Sequence, residues 1–527
     1  MSSADRFYVT TPIYYVNDVP HIGHAYTTIA CDAMARFAKL DGKAVHFLTG
    51  TDEHGQKVEK AARDRGIEPQ AFTDELSERF RDLVKHMNIT NDDFIRTTEE
   101  RHKRAVQDLW KKLVDAGDIY LGGYAGWYAV RDEAFYTESE LVDGKAPTGA
   151  PVEWVEEPSY FFKLSAWQEK LLAFYEENPD FIAPASRRNE VISFVKSGLH
   201  DLSISRASFS WGIPVPDDPA HVMYVWLDAL TNYMTALGYP DADSDTYREF
   251  WPGAVHIIGK DILRFHAVYW PAFLLAAGLR PPKRVFAHGW WTIEGEKMSK
   301  SLGNALDPYE LIDTYGLDQL RYFLLREVPF GNDGDFSRTA MINRINADLA
   351  NDYGNLCQRV LSMIAKNCGG EAPRPRLGSE TEDDKALDQA VEALLGTVRE
   401  HMEKQALNKA LEAVFDVVAA ANRYVGVQEP WALKKTDPQR MGEVLYNLAE
   451  TIRRLALLTQ AFMPEASAKI LDQLAIPAER RTLDFYPSER GRMEPGTALP
   501  KPAGVFPRYI EVGQASETNT ALPIHAR

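Results

Sequence analysis

In the first part of the chain, apolar residues alternate between the two-residue spacing of strands and the three- and four-residue spacing of helices. The predicted elements are, in order, a strand at 6–12, a turn near 17–18, a helix over 25–40, a strand at 44–49, and helices over 70–88 and 99–116. A strand, a helix and the next parallel strand form a βαβ unit. Such a unit binds ligands at the carboxyl ends of its strands.

The pattern changes at about residue 120. Residues 120–162 are rich in glycine, proline, acidic and aromatic residues, which predicts an inserted module of loops and strands. Helical patterns at 166–176 and 189–197 lead back, and the α/β pattern resumes at 221–230, 254–270 and 284–301. In the first two of these segments a strand-like run meets a helix. The spacing at 341–365, 385–427 and 440–475 predicts a helical bundle. The expected fold is therefore α/β, with a doubly wound Rossmann-type domain split by an insertion and followed by an all-α bundle.

Composition narrows the class of protein. Three cysteines without a CxxC pair, no apolar run of roughly 18–20 residues, and an N-terminus that lacks a signal-peptide pattern predict a cytoplasmic protein without a membrane segment. The net charge of −17 disfavours a broad nucleic-acid surface. An RNA partner would therefore have to bind a confined basic and aromatic surface.

Two histidines stand where the first strand turns into the first helix, in the run VPHIGHAY at 19–26. A helix N-terminus favours an anion, and imidazoles three residues apart lie on the same side of the first turn. His21 and His24 could therefore donate hydrogen bonds to a polyphosphate, and Gly23 would let a ring or ribose lie close to the backbone. For this stretch alone, two ordinary polar residues at a helix start are the alternative interpretation.

A second candidate phosphate site is the run GEKMSKSLGN at 295–304. Lys297 and Lys300 each supply a compact charge on a flexible stem, which can follow phosphates as charge moves during a reaction. Lysine–serine loops are common on protein surfaces. The run is informative because it ends the second α/β half, whereas the histidines begin the first.

These runs resemble a known family. HIGH at 21–24 and KMSKS at 297–301 are the two signatures of class I aminoacyl-tRNA synthetases. Over almost its full length the chain resembles the methionyl-tRNA synthetase family, through TTPIYYVNDVPHIGHAY, TGTDEHGQK, YVWLDAL, IIGKDILRFH and EPWALKK. The resemblance implies that ATP, with Mg²⁺, activates L-methionine as methionyl-adenylate with release of pyrophosphate. Methionine then passes to the terminal adenosine of initiator and elongator tRNA(Met).

The resemblance also assigns residues. Catalysis would rest on His21, His24, Lys297 and Lys300. ATP would be bound by these four residues together with Gly23, Gly259, Asp261 and His288. Asp52 would hold the α-ammonium of methionine, and the side chain would lie among Ile13, Tyr15, Trp226, Ala229, Leu230, Tyr233, Ile262 and His266. Tyr15 and His266 would offer the sulfur weak polar contacts, and the tRNA anticodon would be read by Asn355, Arg359 and Trp431.

The inserted module departs from the family pattern. Many members bind zinc there, but the four ligand positions, aligned on AFYTESELVDG at 134–144, hold Ala129, Asp132, Ala146 and Gly149. One carboxylate cannot hold a tetrahedral zinc ion, so no structural zinc and no other bound metal is expected. A substitute apolar core is expected instead from the aromatic residues of the module, which are Trp127, Tyr128, Phe135, Tyr136 and Trp154.

The resemblance suggests roles for the segments of the chain. The expected divisions are 1–119, first catalytic half; 120–200, inserted connective module; 201–310, second catalytic half; 311–340, stem-contact linker; 341–480, anticodon-binding bundle; and 481–527, C-terminal tail. The tail lacks the C-terminal dimerising domain of some relatives, so a monomer is expected.

Three alternatives stay open. A synthetase for another apolar amino acid would need a different pocket and, for most candidates, an editing domain larger than the 120–200 segment. A small nucleotidyltransferase with the histidine signature would not need the helical domain. A tRNA-binding protein without catalysis would not need every signature position intact.

Overall fold

The computed structural model describes residues 5–16, 20–241, 244–297, 305–375 and 380–510. Its strands are β1 Arg6–Thr10, β2 Tyr14–Tyr15, β3 Ala44–Asp52, β4 Asp93–Arg96, β5 Ile119–Ala129, β6 Ala134–Tyr136, β7 Glu153–Phe162, β8 Ile182–Ala183, β9 Leu202–Ser203, β10 Ser205–Arg206, β11 Pro214–Val215, β12 Asp218–Met223, β13 Ala254–Gly259, β14 Arg284–His288, β15 Trp291–Ile293, β16 Glu296–Lys297 and β17 Gly334–Phe336.

The α-helices are α1 Ile22–Leu40, α2 Gln56–Arg65, α3 Pro69–His86, α4 Glu100–Asp115, α5 Gln168–Glu177, α6 Ala185–Lys196, α7 Val225–Thr235, α8 Asp245–Phe250, α9 Trp270–Ala276, α10 Pro308–Tyr315, α11 Leu317–Arg326, α12 Arg338–Asn343, α13 Asn355–Asn367, α14 Glu382–Glu403, α15 Leu407–Gln428, α16 Pro430–Thr436, α17 Pro438–Thr459, α18 Pro464–Gln473 and α19 Ser488–Gly491. Two π-helical segments, Phe265–Tyr269 and Arg344–Gly354, interrupt this pattern. Within the described residues, no helix is both long enough and apolar enough to cross a bilayer.

A parallel sheet forms the centre of the N-terminal part. Its strand order is β4-β3-β1-β13-β14-β8, and β2 continues β1 along the edge of β3. The chain leaves β1 for β3 on one side, and β13 lies on the other side. This reversal is the switch point at which doubly wound sheets open a ligand crevice. The predicted Rossmann-type α/β fold is confirmed.

Successive strand residues face opposite sides of the sheet. Val9 and Phe47 pack with α1 in one buried cluster, whereas Tyr8 and Leu48 pack with α4 and α7 in another. Both faces are therefore covered by helices, as a parallel sheet requires. The strands read as continuous apolar runs for this reason.

The inserted segment forms a separate antiparallel sheet with the order β6-β5-β7-β9. One part of it does not stay in the insertion. Ile182–Ala183, inside the predicted 120–200 module, pairs with β14 as the edge strand of the parallel sheet. A two-residue strand has no periodic apolar pattern, so the sequence could not indicate it.

The C-terminal region is helical, as predicted, but its elements differ in detail. The predicted helical run at 385–427 is two antiparallel helices, α14 and α15, joined by a turn in which Gln405 has a left-handed φ of 54°. The segment expected as a tail packs on this region up to residue 510, with Phe506 buried. Asn346 pairs with the backbone of Tyr509 through both of its amide atoms, at 2.8 and 3.1 Å.

A buried ion pair connects the two regions. Asp32 on α1 and Arg321 on α11 are both fully buried and lie 2.7 Å apart. Asp32 also accepts a hydrogen bond from Arg36, and Arg321 donates to the carbonyl oxygens of Ala461 and Phe462 in the helical domain. The helix that begins at His21 is thereby tied to the C-terminal region.

We expect Arg321→Ala to lower the free energy of unfolding by about 3–5 kcal/mol, because it leaves the Asp32 carboxylate buried without its partner. Urea unfolding measures the loss. The control is Arg63→Ala, which removes an exposed ion pair with Glu59 and should change the free energy by less than about 1 kcal/mol. Equal effects of the two substitutions would show that the buried pair does not hold the regions together.

Candidate active site

A cavity of about 870 Å³ lies at the carboxyl ends of β1, β3, β13 and β14. Asp52 ends β3, Gly259 ends β13 and His288 ends β14. The predicted methionine and ATP residues that line it are Ile13, Tyr15, His21, Gly23, His24, Asp52, Trp226, Ala229, Leu230, Tyr233, Gly259, Asp261, Ile262, His266 and His288. Residues from both halves of the fold thus meet in one crevice.

The first turn of α1 is capped by its own histidines. The Gly23 amide donates to His21 Nδ1 at 3.0 Å, and the His21 amide donates to His24 Nδ1 at 3.1 Å. A neutral imidazole that accepts at Nδ1 carries its proton on Nε2. Each ring therefore keeps an Nε2–H donor that this turn does not use. A Cβ at position 23 would lie 2.9 Å from Cε1 of His21, so a side chain there would displace the His21 ring.

Both histidines are neutral at physiological pH. Burial lowers the pKa of His21 to about 4, and burial together with the charge of His21 lowers the pKa of His24 well below its usual value. Their ring centroids are 3.9 Å apart, so protonation of one ring disfavours protonation of the other. The pair can donate hydrogen bonds to a ligand but does not supply positive charge.

His288 connects β14 to α1. Its Nδ1–H donates to the Gly289 carbonyl at 2.8 Å, and its Nε2 accepts from the Thr27 hydroxyl at 2.7 Å. Burial lowers the pKa of His288, so the ring is neutral and this tautomer is the one that satisfies both bonds. The contact fixes the second turn of α1 against the end of β14.

Gly259 and Asp261 make a close turn at the end of β13. A Cβ at position 259 would lie 2.5 Å from Oδ1 of Asp261, and that oxygen accepts from Trp290 Nε1 at 3.0 Å. The missing side chain therefore lets the Asp261 carboxylate lie against the backbone at the mouth of the cavity.

The Asp52 carboxylate is buried and incompletely paired. Its Oδ1 has no hydrogen-bond partner among the described residues. Burial, together with the charges of Asp228 and Glu133, raises the pKa of Asp52 well above its usual value. A cation beside Asp52 would supply the missing partner and restore the charged form. The arrangement fits an ammonium group.

Aromatic side chains form the apolar part of the cavity. Trp226 stacks on Phe265 with 3.9 Å between ring centroids and 5° between planes. Ala229 and Leu230 follow on α7 and are buried. Phe265 begins the π-helical turn Phe265–Tyr269, a rare element that is frequent at functional sites.

His266 differs in detail from the expectation. Its Nδ1–H donates to the Ile262 carbonyl at 3.0 Å, and its Nε2 accepts from the Tyr233 hydroxyl at 2.7 Å. Burial lowers the pKa of His266 to about 4. Both ring nitrogens are thus engaged within the protein. His266 orients Tyr233 and has no free nitrogen to offer to a ligand sulfur.

A buried carboxylate–histidine network lies beside the cavity and was not predicted from the sequence. Asp228 accepts from His54 Nδ1 at 2.6 Å and from His102 Nε2 at 2.7 Å. Burial raises the pKa of Asp228, but the two histidines outweigh burial and lower it to about 2. The network holds the first turn of α7, which carries Trp226, against the end of β3. His54 lies in the motif TGTDEHGQK and Asp228 in YVWLDAL, so the sequence contained a signal that could have indicated both residues.

The inserted module also contributes Glu133, which was not predicted as a site residue from the sequence. Glu133 lies in the turn between β5 and β6 with a left-handed φ of 47°, and it lines the cavity. Its carboxylate accepts from the Tyr15 hydroxyl in a short hydrogen bond, and its carbonyl accepts from Tyr224 at 3.0 Å. Burial raises the pKa of Glu133 to about 7, against the lowering effects of Tyr15, Lys57 and Arg206. Only the tertiary structure brings this turn to the cavity.

Small residues fill the positions where relatives hold zinc ligands. Ala129, Ala146 and Ala150 form a buried cluster, and the Gly149 amide donates to the Ala146 carbonyl at 2.7 Å. The Asp132 carboxylate accepts hydrogen bonds from Arg131 and from the hydroxyls of Thr148 and Tyr136. Across the described residues, no three His, Cys, Asp or Glu side chains come together as a metal site.

The expected aromatic core of the module is partly wrong. Trp154 is 56% exposed and contacts Trp127 edge-on, with 5.3 Å between ring centroids. Tyr128 and Phe135 instead pack around the buried Arg206 guanidinium, which lies 3.9 Å from the centre of the Phe135 ring. The centre of the module is filled by Ala129, Ala146 and Ala150, and of the five expected aromatic residues Tyr136 packs against them.

Two predicted residues cannot be located in this site. Lys297 is the last described residue of β16, and its side chain is not among those that the structure describes. Lys300 lies outside the described residues.

The predicted anticodon residues lie on the helical domain, away from the cavity. Asn355 and Arg359 are one turn apart on α13, and Asn355 is exposed. Trp431 on α16 is 47% exposed, and the Arg359 guanidinium lies 5.8 Å from the centre of its ring. Trp431 therefore presents a ring face to solvent rather than capping the core.

A pH-dependent stability difference should reveal the burial of Glu133. Its folded pKa of about 7 lies above the usual 4.5, so burial destabilises the folded state increasingly as pH rises from about 5 through 7. Relative to Glu133→Gln, which cannot ionise, we expect wild-type protein to lose roughly 2–3 kcal/mol between pH 5 and pH 8. Denaturant unfolding at both pH values measures it. The exposed Glu153→Gln should show no such difference, and parallel pH profiles for wild type and Glu133→Gln would contradict the assignment.

Comparison with known proteins identifies the family. The sequence model described as class I tRNA synthetases (M) matches residues 7–151 and 147–361, and that of the anticodon binding domain of methionyl tRNA ligase matches 374–519. The chain is 59% identical to the methionine–tRNA ligase of Brucella suis over 97% of its length and 99% of that protein. It is 60% identical to that of Mesorhizobium japonicum, with the same coverage.

The solved structures agree. Mycobacterium tuberculosis methionyl-tRNA synthetase in complex with methionyl-adenylate superposes with a TM-score of 0.93 at 54% identity, covering 96% of this chain and 100% of that one. The free form of the M. tuberculosis protein gives a TM-score of 0.87 at 51% identity. The chain therefore belongs to the methionine–tRNA ligases, the ATP-dependent class I aminoacyl-tRNA synthetases that charge tRNA with methionine.

Proposed function

We propose that the cavity at the carboxyl ends of the parallel strands performs both steps of the ligase reaction. One observation carries this proposal: the buried Asp52 carboxylate, whose Oδ1 has no hydrogen-bond partner among the described residues, lies in the same cavity as an aromatic pocket and the two-histidine turn. Asp52 would bind the α-ammonium of methionine. The thioether would lie in the aromatic pocket, because a polarizable sulfur contacts ring edges favourably.

The methionine side chain is proposed to contact Ile13, Tyr15, Trp226, Ala229, Leu230, Tyr233 and Ile262. His266 acts in this proposal through Tyr233, since both of its nitrogens are already hydrogen-bonded. Tyr15 is held by Glu133, so the inserted module would set the position of one wall. Selectivity would then arise from shape and polarizability.

The histidine turn is proposed to bind the phosphates of ATP. In the first step a methionine carboxylate oxygen attacks the α-phosphorus and pyrophosphate leaves, a reaction in which the protein mainly positions groups and stabilises charge. The Nε2–H groups of His21 and His24 would donate to the phosphate oxygens. Gly23, Gly259, Asp261 and His288 would surround the nucleotide.

Because the histidines are neutral, positive charge must come from elsewhere. Lys297 and Lys300 are proposed to supply it at the β and γ phosphates. Mg²⁺, when bound, neutralises phosphate charge; it is expected to enter with ATP, since it keeps several waters and binds through substrate phosphates. In the second step a ribose hydroxyl of the tRNA attacks the activated carboxyl group, and AMP leaves.

The anticodon is proposed to bind on the helical domain at Asn355, Arg359 and Trp431. An exposed indole can stack on an unpaired base, and an adjacent guanidinium and amide can bond to base edges. The cation–π contact of Arg359 holds the two groups on one surface. Initiator and elongator tRNA(Met) share the anticodon, so both are proposed as substrates.

We also propose roles for the segments of the chain, a location, an oligomeric state and a metal requirement. The segment roles given above for 1–119, 120–200, 201–310, 311–340, 341–480 and 481–527 are proposed, with Ile182–Ala183 assigned to the catalytic sheet. The protein is proposed to act as a cytoplasmic monomer. We propose that the protein does not require zinc. At the four aligned ligand positions, Ala129, Ala146 and Gly149 have no side-chain ligand atom, and the Asp132 carboxylate already accepts hydrogen bonds.

Amino-acid-dependent ATP–pyrophosphate exchange tests the proposed site. We expect exchange with methionine but not with leucine, isoleucine or valine, using enzyme dialysed against EDTA and resupplied only with Mg²⁺. Asp52→Asn should lower kcat/KM for methionine roughly 30-fold or more, because removing one partner of a buried charge pair costs about 2–5 kcal/mol.

The matched control is Asp313→Asn, an exposed carboxylate on α10, which should leave exchange unchanged. Exchange with a different amino acid would mean that the pocket is misassigned. Loss of exchange after dialysis, restored by Zn²⁺, would contradict the metal-free module.

The anticodon proposal predicts a separation of the two steps. Trp431→Ala and Arg359→Ala should each lower aminoacylation of tRNA(Met) by roughly 5- to 150-fold, because stacking on an aromatic ring is worth about 1–3 kcal/mol per base. ATP–pyrophosphate exchange should be unchanged. Lys366→Ala, at the far end of the same helix α13, is the control. If aminoacylation survived both substitutions, the anticodon would bind elsewhere.

A further inference from the structure

A second cavity, of about 640 Å³, lies at the opposite end of the parallel strands. It is bounded by the residues at or just before the amino ends of β1, β3, β13 and β14, and by the end of α14 with the turn that follows it. It shares no lining residue with the candidate active site. Since one wall belongs to the α/β domain and the other to the helical domain, a molecule bound there would contact both.

The walls of this cavity are basic in a chain of net charge −17. Six basic side chains line it against three carboxylates; the basic residues are Arg6, Lys43, Arg280, Lys283, Arg284 and Arg399. An excess of positive charge inside a concave, low-dielectric surface concentrates anions there. The net charge of the residues that line this cavity is thus opposite in sign to the net charge of the whole protein.

Part of this charge is not neutralised by carboxylates. Three of the six basic residues are neutralised by ion pairs, which are Arg399 with Asp41 at 2.6 Å, Lys283 with Glu403 at 3.2 Å and Arg6 with Glu249 at 2.7 Å. Arg284 donates to the carbonyl oxygen of Glu403 and to Gln405 Oε1, which are neutral acceptors. Among the described residues, the side chains of Lys43 and Arg280 have no hydrogen-bond or ion-pair partner.

The floor of the cavity is apolar. It consists of Phe7 from β1, Met34 and Phe37 from α1, Val255 from β13 and Met402 from α14, and all of these except Phe7 are buried. A bare inorganic ion would use only the basic rim. A ligand with an apolar or aromatic body and an anionic group would use both parts, and the volume is within the usual range for small-molecule sites, about 300–1,000 Å³.

We propose that this interdomain cavity is a second, non-catalytic binding site for an organic phosphate of about the size of a mononucleotide. The phosphates contact Lys43 and Arg280, and the apolar body lies against Phe7, the floor residue that is partly exposed. Guanidinium groups match phosphate oxygens with paired hydrogen bonds, which favours a phosphate as the anion.

The test is calorimetric titration of the full-length protein with GTP at low ionic strength, with methionine and a non-hydrolysable ATP analogue saturating the active site. We expect one GTP bound per chain, and at least tenfold weaker binding to the double variant Lys43→Ala/Arg280→Ala. Neither side chain has a partner to lose, so the variant should fold; circular dichroism checks this. The matched control is Arg104→Ala/Lys111→Ala, two exposed residues of α4, which should bind GTP as wild type does.

Two further probes separate the parts of the proposal. Citrate and inorganic phosphate carry anionic charge without an apolar body and should bind at least tenfold more weakly than GTP. If citrate bound as tightly as GTP, the floor would play no part and the assignment to an organic phosphate would be wrong. No GTP binding beyond the active site, or equal binding to wild type and Lys43→Ala/Arg280→Ala, would overturn the site altogether.

Discussion

Asp32 and Arg321 meet where the two regions of the chain join, and neither side chain reaches solvent. Further hydrogen bonds offset the cost of burying such a pair. Here Asp32 also accepts from Arg36 and from the backbone and hydroxyl of Thr90, while Nε and Nη2 of Arg321 donate to carbonyl groups just after α17. Nη1 of Arg321 has no hydrogen-bond partner among the described residues. Each bond leads to a different element. The helix that presents His21 and His24 to the cavity is therefore positioned from its middle by α11, which is bonded in turn to the helical domain.

The active-site cavity combines neutral donors with buried carboxyl groups. Burial lowers the pKa values of His21, His24 and His288 and raises those of Asp52 and Glu133. With its substrates absent, the cavity thus contains groups that favour their uncharged forms. A methionine ammonium would restore the charge of Asp52 on binding. Phosphate binding would rely on N–H donors within the cavity and on Lys297 and Lys300.

The inserted module is packed around small side chains. Its turns close over Ala129, Ala146 and Ala150. Small side chains suit this position because the turn backbones approach closely and leave little volume. The adjacent turn carries Glu133 to Tyr15. The module therefore remains coupled to the cavity although its centre is apolar.

The sequence by itself determined the order of the elements, the α/β class, the helical C-terminal region and fifteen of the residues that line the cavity, because apolar periodicity and short signatures are local properties of the chain. It could not indicate β8 at the sheet edge, since two residues carry no period, nor the role of His266, since a tautomer depends on what each nitrogen contacts. The Asp228 network, the approach of Glu133 and the basic cavity between domains arise from residues far apart in the chain. Only tertiary packing decides such contacts, because burial and pairing depend on which distant surfaces exclude water together.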